Sequence, residues 1–70
     1  MTNANTKRFA VKLKQERLKR GISQEKLALK AGVSRNFISM IERGERTVTV
    51  TKLFDIAKAM DMEAWQLIKF

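Results

Sequence analysis

The stretch Ser23-Gln24-Glu25-Lys26-Leu27-Ala28-Leu29-Lys30-Ala31-Gly32-Val33-Ser34-Arg35-Asn36-Phe37-Ile38-Ser39-Met40-Ile41-Glu42-Arg43-Gly44 decides the fold. Its punctuation occurs twice: Gly21-Ile22-Ser23 opens it and Gly32-Val33-Ser34 divides it. A glycine closes a helix by taking the left-handed conformation that other residues resist. A serine two positions later opens the next helix, its hydroxyl accepting from a backbone N–H of the first turn. The apolar residue before it, Ile22 or Val33, stands at the staple position. The pattern predicts one helix over residues 24–31 and a second over 35–43, joined by a three-residue turn.

Working outward, Gly21 closes a first helix over residues 7–20, with Thr6 as its cap and Phe9, Ala10, Leu13 and Arg17 along one stripe. Beyond Gly44, the run Thr47-Val48-Thr49-Val50 alternates as a strand does. An isolated strand has no partner in so short a helical chain, so the run is read as a loop. Thr49 or Thr51 caps a fourth helix reaching Met60, with Leu53, Ile56, Ala57 and Met60 inward. Asp61 breaks that pattern, and a short fifth helix covers residues 63–69. Residues 1–5 are expected to be disordered. The expectation is an all-α fold of five helices, with residues 1–70 as a single domain.

Composition bounds what such a domain does. A chain of 70 residues builds a marginal core and often needs a staple. With no cysteine and no histidine, disulfides, Cys/His zinc sites and the usual nucleophile–base pairs are excluded. The seven carboxylates are scattered, and no glycine loop is built for phosphate. The expectation is binding rather than catalysis, with no metal, no cofactor and no small-molecule ligand. Oligomerisation is the staple that remains. The polar start is not that of a secretory leader, and no apolar run approaches the roughly 20 residues needed to cross a bilayer. Absence of cysteine fits a reducing compartment, so a cytoplasmic location and no membrane partner are expected. Fifteen basic residues face seven acidic ones, a net charge of +8. Residues 1–46 hold twelve basic and four acidic residues, whereas 47–70 hold three of each. A one-sided basic field suits a polyanion.

A helical wheel on the second helix of the opening stretch sharpens this. Successive residues turn by about 100°. Phe37, Ile38 and Ile41 then share the side of Ser34, while Arg35, Asn36, Ser39 and Arg43 fall opposite and Met40 lies near the boundary. Arginine pairs with guanine O6 and N7, asparagine with adenine N6 and N7, and a short serine lets a helix lie close to the bases. Two short helices joined by a tight glycine turn have the dimensions of a helix-turn-helix, whose second helix enters the major groove.

Ser23-Gln24-Glu25-Lys26-Leu27-Ala28, Gly32-Val33-Ser34-Arg35 and Ile38-Ser39-Met40-Ile41-Glu42-Arg43-Gly44 together resemble the XRE family of lambda-repressor-like regulators. That family includes phage repressors, Cro proteins and the controller proteins of restriction–modification systems, and the controllers resemble this chain most. The resemblance implies a regulator of double-stranded DNA that binds a palindromic operator as a homodimer. A DNA-binding antitoxin and a phage Cro or repressor protein are the alternatives. It also implies roles. Ser23, Gln24 and Ser34 lie at helix starts where phosphates bind. Arg35, Asn36 and Ser39 read bases, and Met40 meets a thymine methyl. Arg43 and Arg46 grip phosphates or reach the minor groove. Phe37 is assigned to packing ahead of DNA contact. Arg17 and Glu42 fall on core-facing sides of their helices, and the family has a structural Arg–Glu pair at matching places. Finally, residues 61–70 carry more apolar side chains than one small core needs, which marks Met62, Trp65, Ile68 and Phe70 as a dimer interface.

Overall fold

The computed structural model describes residues 4–69. Its elements are α1 (Ala4–Lys19), α2 (Gln24–Ala31), α3 (Arg35–Glu42), α4 (Val50–Ala59) and α5 (Ala64–Ile68). No strand occurs among the described residues, and residues 44–49 form the connection between α3 and α4. The serine caps form as local chemistry dictates: Ser23 Oγ accepts from Lys26 N and Ser34 Oγ from Phe37 N, each at 3.0 Å. Thr49 Oγ1 does the same for α4, accepting from Lys52 N at 3.2 Å. At α5, Gln66 Oε1 reaches back to Glu63 N at 2.9 Å.

Four helices end in one kind of turn. After α2, Gly32 takes φ +73°, its N–H reaches Leu29 O at 3.3 Å, and Val33 N reaches Ala28 O at 3.0 Å. This crossed pair is the Schellman closure, which satisfies carbonyls that the helix end leaves open. The same two bonds recur at Gly21 and Gly44, and at Asp61, where a residue with a side chain holds φ +59°. The apolar residue after the left-handed position turns back onto the core: Ile22, Val33 and Met62 all pack there half-buried. After Gly44 that place holds Glu45, which stays exposed. A left-handed backbone costs an L-residue about 1–2 kcal/mol, less for aspartate. Asp61→Gly is therefore expected to raise stability by up to about 1 kcal/mol, seen as a higher urea midpoint at unchanged slope.

The six largest fully buried side chains come from all five helices: Leu13 of α1, Leu27 of α2, Ile38 and Ile41 of α3, Ile56 of α4 and Leu67 of α5. Each contributes about 1.5–3 kcal/mol of apolar burial. The helices close a ring around them, since α1 packs on α3, α3 on α2, α2 on α4, α4 on α5, and α5 on α1.

Helix α1 departs from expectation at its start. It begins at Ala4, so Ala4 and Asn5 are helical rather than disordered, and residues 1–3 lie outside the described residues. Thr6 is not a cap. It lies within the helix and is buried, because the inward stripe of Phe9, Ala10, Leu13 and Arg17 extends one turn further back to include it.

Candidate nucleic-acid interface

Helix α3 is fixed from within. Ile38 and Ile41 bury its inner side, Ser34 caps its start, and a carboxylate at its last residue ties its end to two other helices. Arg17 Nε donates to Glu42 Oε2 at 2.7 Å and Nη2 to Glu42 Oε1 at 3.0 Å, a fork-to-fork pair. Arg17 Nη1 donates to Ile22 O at 2.9 Å, and Gln24 Nε2 donates to Glu42 Oε1 at 3.0 Å. The two charged side chains are only 9% and 3% exposed, yet none of their buried polar atoms lacks a partner. One carboxylate thus joins α1, α2 and α3 beneath the outward face of α3.

That outward face carries Arg35 and Asn36 exposed, Ser39 and Met40 half-buried beside them, and Arg43 exposed just past the helix end. Ser23 and Ser34 are exposed, with their hydroxyls engaged as caps. Gln24 is half-buried, and one of its amide hydrogens is turned to Glu42, leaving the other for an outside acceptor. Asn36 Nδ2 lies 3.5 Å from Met40 Sδ, a weak acceptor that a base edge readily replaces. The Arg46 guanidinium stands 4.7 Å from the centre of the Phe37 ring, and Phe37 is itself packed against the core. Phe37 therefore positions a cation at the rim of the face.

Glu45 was not among the residues singled out in the sequence. Arg43 Nε and Nη2 donate to its two carboxylate oxygens at 3.0 and 3.1 Å, and Arg43 Nη1 also donates to Ser39 Oγ. The hydrogen bond from Arg43 holds the Glu45 carboxyl below its ordinary range, and Glu45 in turn raises Arg43. In the free protein, Arg43 is thus engaged by a carboxylate at the edge of the face, and Ser39 by Arg43.

Of the tail residues, Met62 is half-buried against the core while Trp65 and Ile68 are 57% and 49% exposed. Phe70 lies outside the described residues. The sequence pattern also left unmarked Val50 and Phe54 of α4, which are 72% and 60% exposed. They stand four residues apart on α4, and a wheel sets Val50 about 20° and Phe54 about 60° from buried Ala57, so the helix period alone does not mark them as outward.

The comparisons agree with this geometry. The family described as "Helix-turn-helix" matches residues 13–64. The chain is 41% identical to the control protein C.BamHI of Bacillus amyloliquefaciens, over 100% of this chain and 88% of that protein. It is 40% identical to the control protein C.SmaI of Serratia marcescens over 67% of this chain and 56% of that protein. Among solved structures, the restriction-modification controller protein C.AhdI from Aeromonas hydrophila superposes with a TM-score of 0.90 at 34% identity, covering 93% of this chain and 98% of that one. With its two capped helices, their glycine turn and the face that α3 turns outward, this chain belongs to the XRE-type helix-turn-helix family.

Proposed function

We propose that this chain is a transcription regulator that binds a palindromic operator as a homodimer and controls a restriction–modification operon. The observation that carries the reading is the exposed row of Arg35, Asn36 and Ser39 on a helix whose inner side is locked into the core. Its chemistry is that of base-edge recognition in the major groove, and no covalent step is involved. Arg43, Arg46, Gln24 and the capped helix starts supply backbone contacts that set register. The controller proteins among the relatives support the choice of operon. Selection of bound sequences from a random duplex pool at fixed salt tests it. A palindrome with half-sites about one helical turn apart is expected, and no enrichment over bulk DNA would sink the proposal.

The exposed apolar side chains of α4 and α5 support the homodimer. Ile68 borders an open groove lined by Phe9, Val48 and Leu53, and Phe54 and Trp65 add apolar area that this protomer leaves uncovered. Doubling a half-site raises affinity through effective concentration. Phe54→Asp and Ile68→Asp are expected to convert a micromolar dimer to monomer in sedimentation velocity while the thermal melt of the protomer stays close to wild type. Sedimentation like wild type in both would remove α4 and α5 from the interface.

Glu45 faces the phosphates that Arg43 would meet. Its charge disfavours every duplex, and a well-placed operator compensates by making contacts that bulk DNA lacks. Glu45→Gln is expected to tighten binding to unrelated duplex several-fold, and to the selected site by less, so the specificity ratio falls. Filter binding against both duplexes at one salt concentration checks this. Equal tightening of both, or none, would exclude the role.

A further inference from the structure

We propose that the outer face of α1, with Lys69 beside it, is a second polyanion surface that takes the phosphate backbone of another DNA duplex, so that the protein bridges two duplexes. This goes beyond operator recognition and does not depend on which sequence α3 selects.

The net charge of +8 is the starting point, because the recognition face does not hold most of it. That face offers Arg35, Arg43 and Arg46, with Glu45 among them. The outer side of α1 offers Lys7, Arg8, Lys12, Lys14 and Lys19, and Lys69 borders the same shallow groove as Lys7, Arg8 and Lys12. On a wheel with Leu13 at the centre of the buried stripe, these five α1 cations all lie about 100° or more away from it. No carboxylate lies between them: Glu16 sits nearer the buried side, 3.4 Å from Lys12 and hydrogen-bonded to Arg20. No ion pair among the described residues includes Lys7, Arg8, Lys14, Lys19 or Lys69.

Direction follows from packing. The inner stripe of α1 meets α3, and Arg17 on that stripe reaches Glu42 at the end of α3. The outer face of α1 therefore turns away from α3, apart from Lys7, whose stem lies against Gly44 just past that helix. A duplex on each side would be separated by the body of a molecule 22–26 Å across. From Lys7 to Lys19 the cations run about 18 Å along the helix, at about 1.5 Å per residue. They form two strips: Arg8, Lys12 and Lys19 lie within about 40° of one another on the wheel, and Lys7 and Lys14 flank them across Val11, Gln15 and Leu18. Four of the five α1 cations are lysines, point charges without the fork that fixes a particular carboxylate. Val11 and Leu18, the exposed apolar residues of this face, stand two turns apart with cations between them. They do not form the clustered anchor that a stable protein partner needs. Sequence-independent backbone binding asks for aligned positive charge and little else.

Fluorescence cross-correlation with two differently labelled duplexes of roughly 20 bp and unrelated sequence tests this, at about 50 mM salt where such contacts are strong. The variant carries Lys7→Gln, Arg8→Gln, Lys14→Gln and Lys19→Gln, exchanges of similar helix propensity at exposed sites. Wild type is expected to make the two labels diffuse together. The variant is expected to lose that co-diffusion by about tenfold or more, with a salt dependence weaker by up to about four counterions. At about 150 mM salt, where the Debye length is about 8 Å, its affinity for the selected operator is expected to stay within a few-fold of wild type. Arg35→Ala is expected to do the opposite, losing site preference while keeping co-diffusion. No co-diffusion with wild type, or undiminished co-diffusion with the variant, overturns the proposal. So does capture of labelled polyglutamate, but not of duplex, by the α1 face, since that assigns it to an acidic protein. Failure of operator recognition shows separately, as absence of a selected site or indifference to Arg35→Ala.

Discussion

Glu42→Ala is expected to lower stability by about 3–5 kcal/mol, because the Arg17 guanidinium would be left buried with no opposite charge. For a domain of this size each kcal/mol moves the melt by about 4–8 °C, so the midpoint should fall by about 15 °C or more. The magnitude rests on geometry. Both charged side chains are nearly buried, both carboxylate oxygens are used, and Gln24 also loses its acceptor. The pair itself is a different quantity. Taking two charges out of water offsets most of their attraction, so a double replacement by apolar residues, Arg17→Met with Glu42→Leu, is expected near or above wild-type stability. A thermal melt of the three proteins separates the cost of stranding a charge from the net worth of the pair. An unchanged melt for Glu42→Ala would show that Arg17 finds water.

Arg35→Ala is the second large effect, and it leaves the fold alone because Arg35 is exposed. Loss of a bidentate contact to a base is worth about 1–3 kcal/mol, or roughly a tenfold to hundredfold weaker Kd. The loss should fall on the selected operator and spare unrelated duplex. Arg43→Ala and Arg46→Ala should instead weaken both duplexes alike and lower the slope of log K against log salt by about one each. Titrations at several salt concentrations distinguish the two signatures. If Arg35→Ala weakens both duplexes equally, Arg35 contacts backbone and the base reader must be sought at Asn36 or Ser39.

The fold was legible where local chemistry decides it. Gly-Ile-Ser and Gly-Val-Ser fixed the ends of α2 and the start of α3 because a left-handed closure and a serine cap need only neighbouring backbone. Thr6 misled because a threonine before a basic run looks like a cap, and only packing shows that the buried stripe begins with it. The outward polar side of α3 followed from its period. Its relation to Glu45 did not, because no periodicity links a loop carboxylate to an arginine two residues earlier. The exposure of Val50 and Phe54 was not legible, because both lie within about 60° of buried Ala57 on the wheel and only the packing of α4 leaves them uncovered.

The closed ring of helix contacts has a dynamic consequence. Each helix touches two others, so releasing any one exposes core side chains on both sides of it. Sub-global opening then costs nearly as much as full unfolding, and amides of α3 should exchange with solvent at close to the global rate. A recognition helix that does not fray meets DNA already ordered, and complex formation carries little of the ordering entropy that a flexible reader must supply.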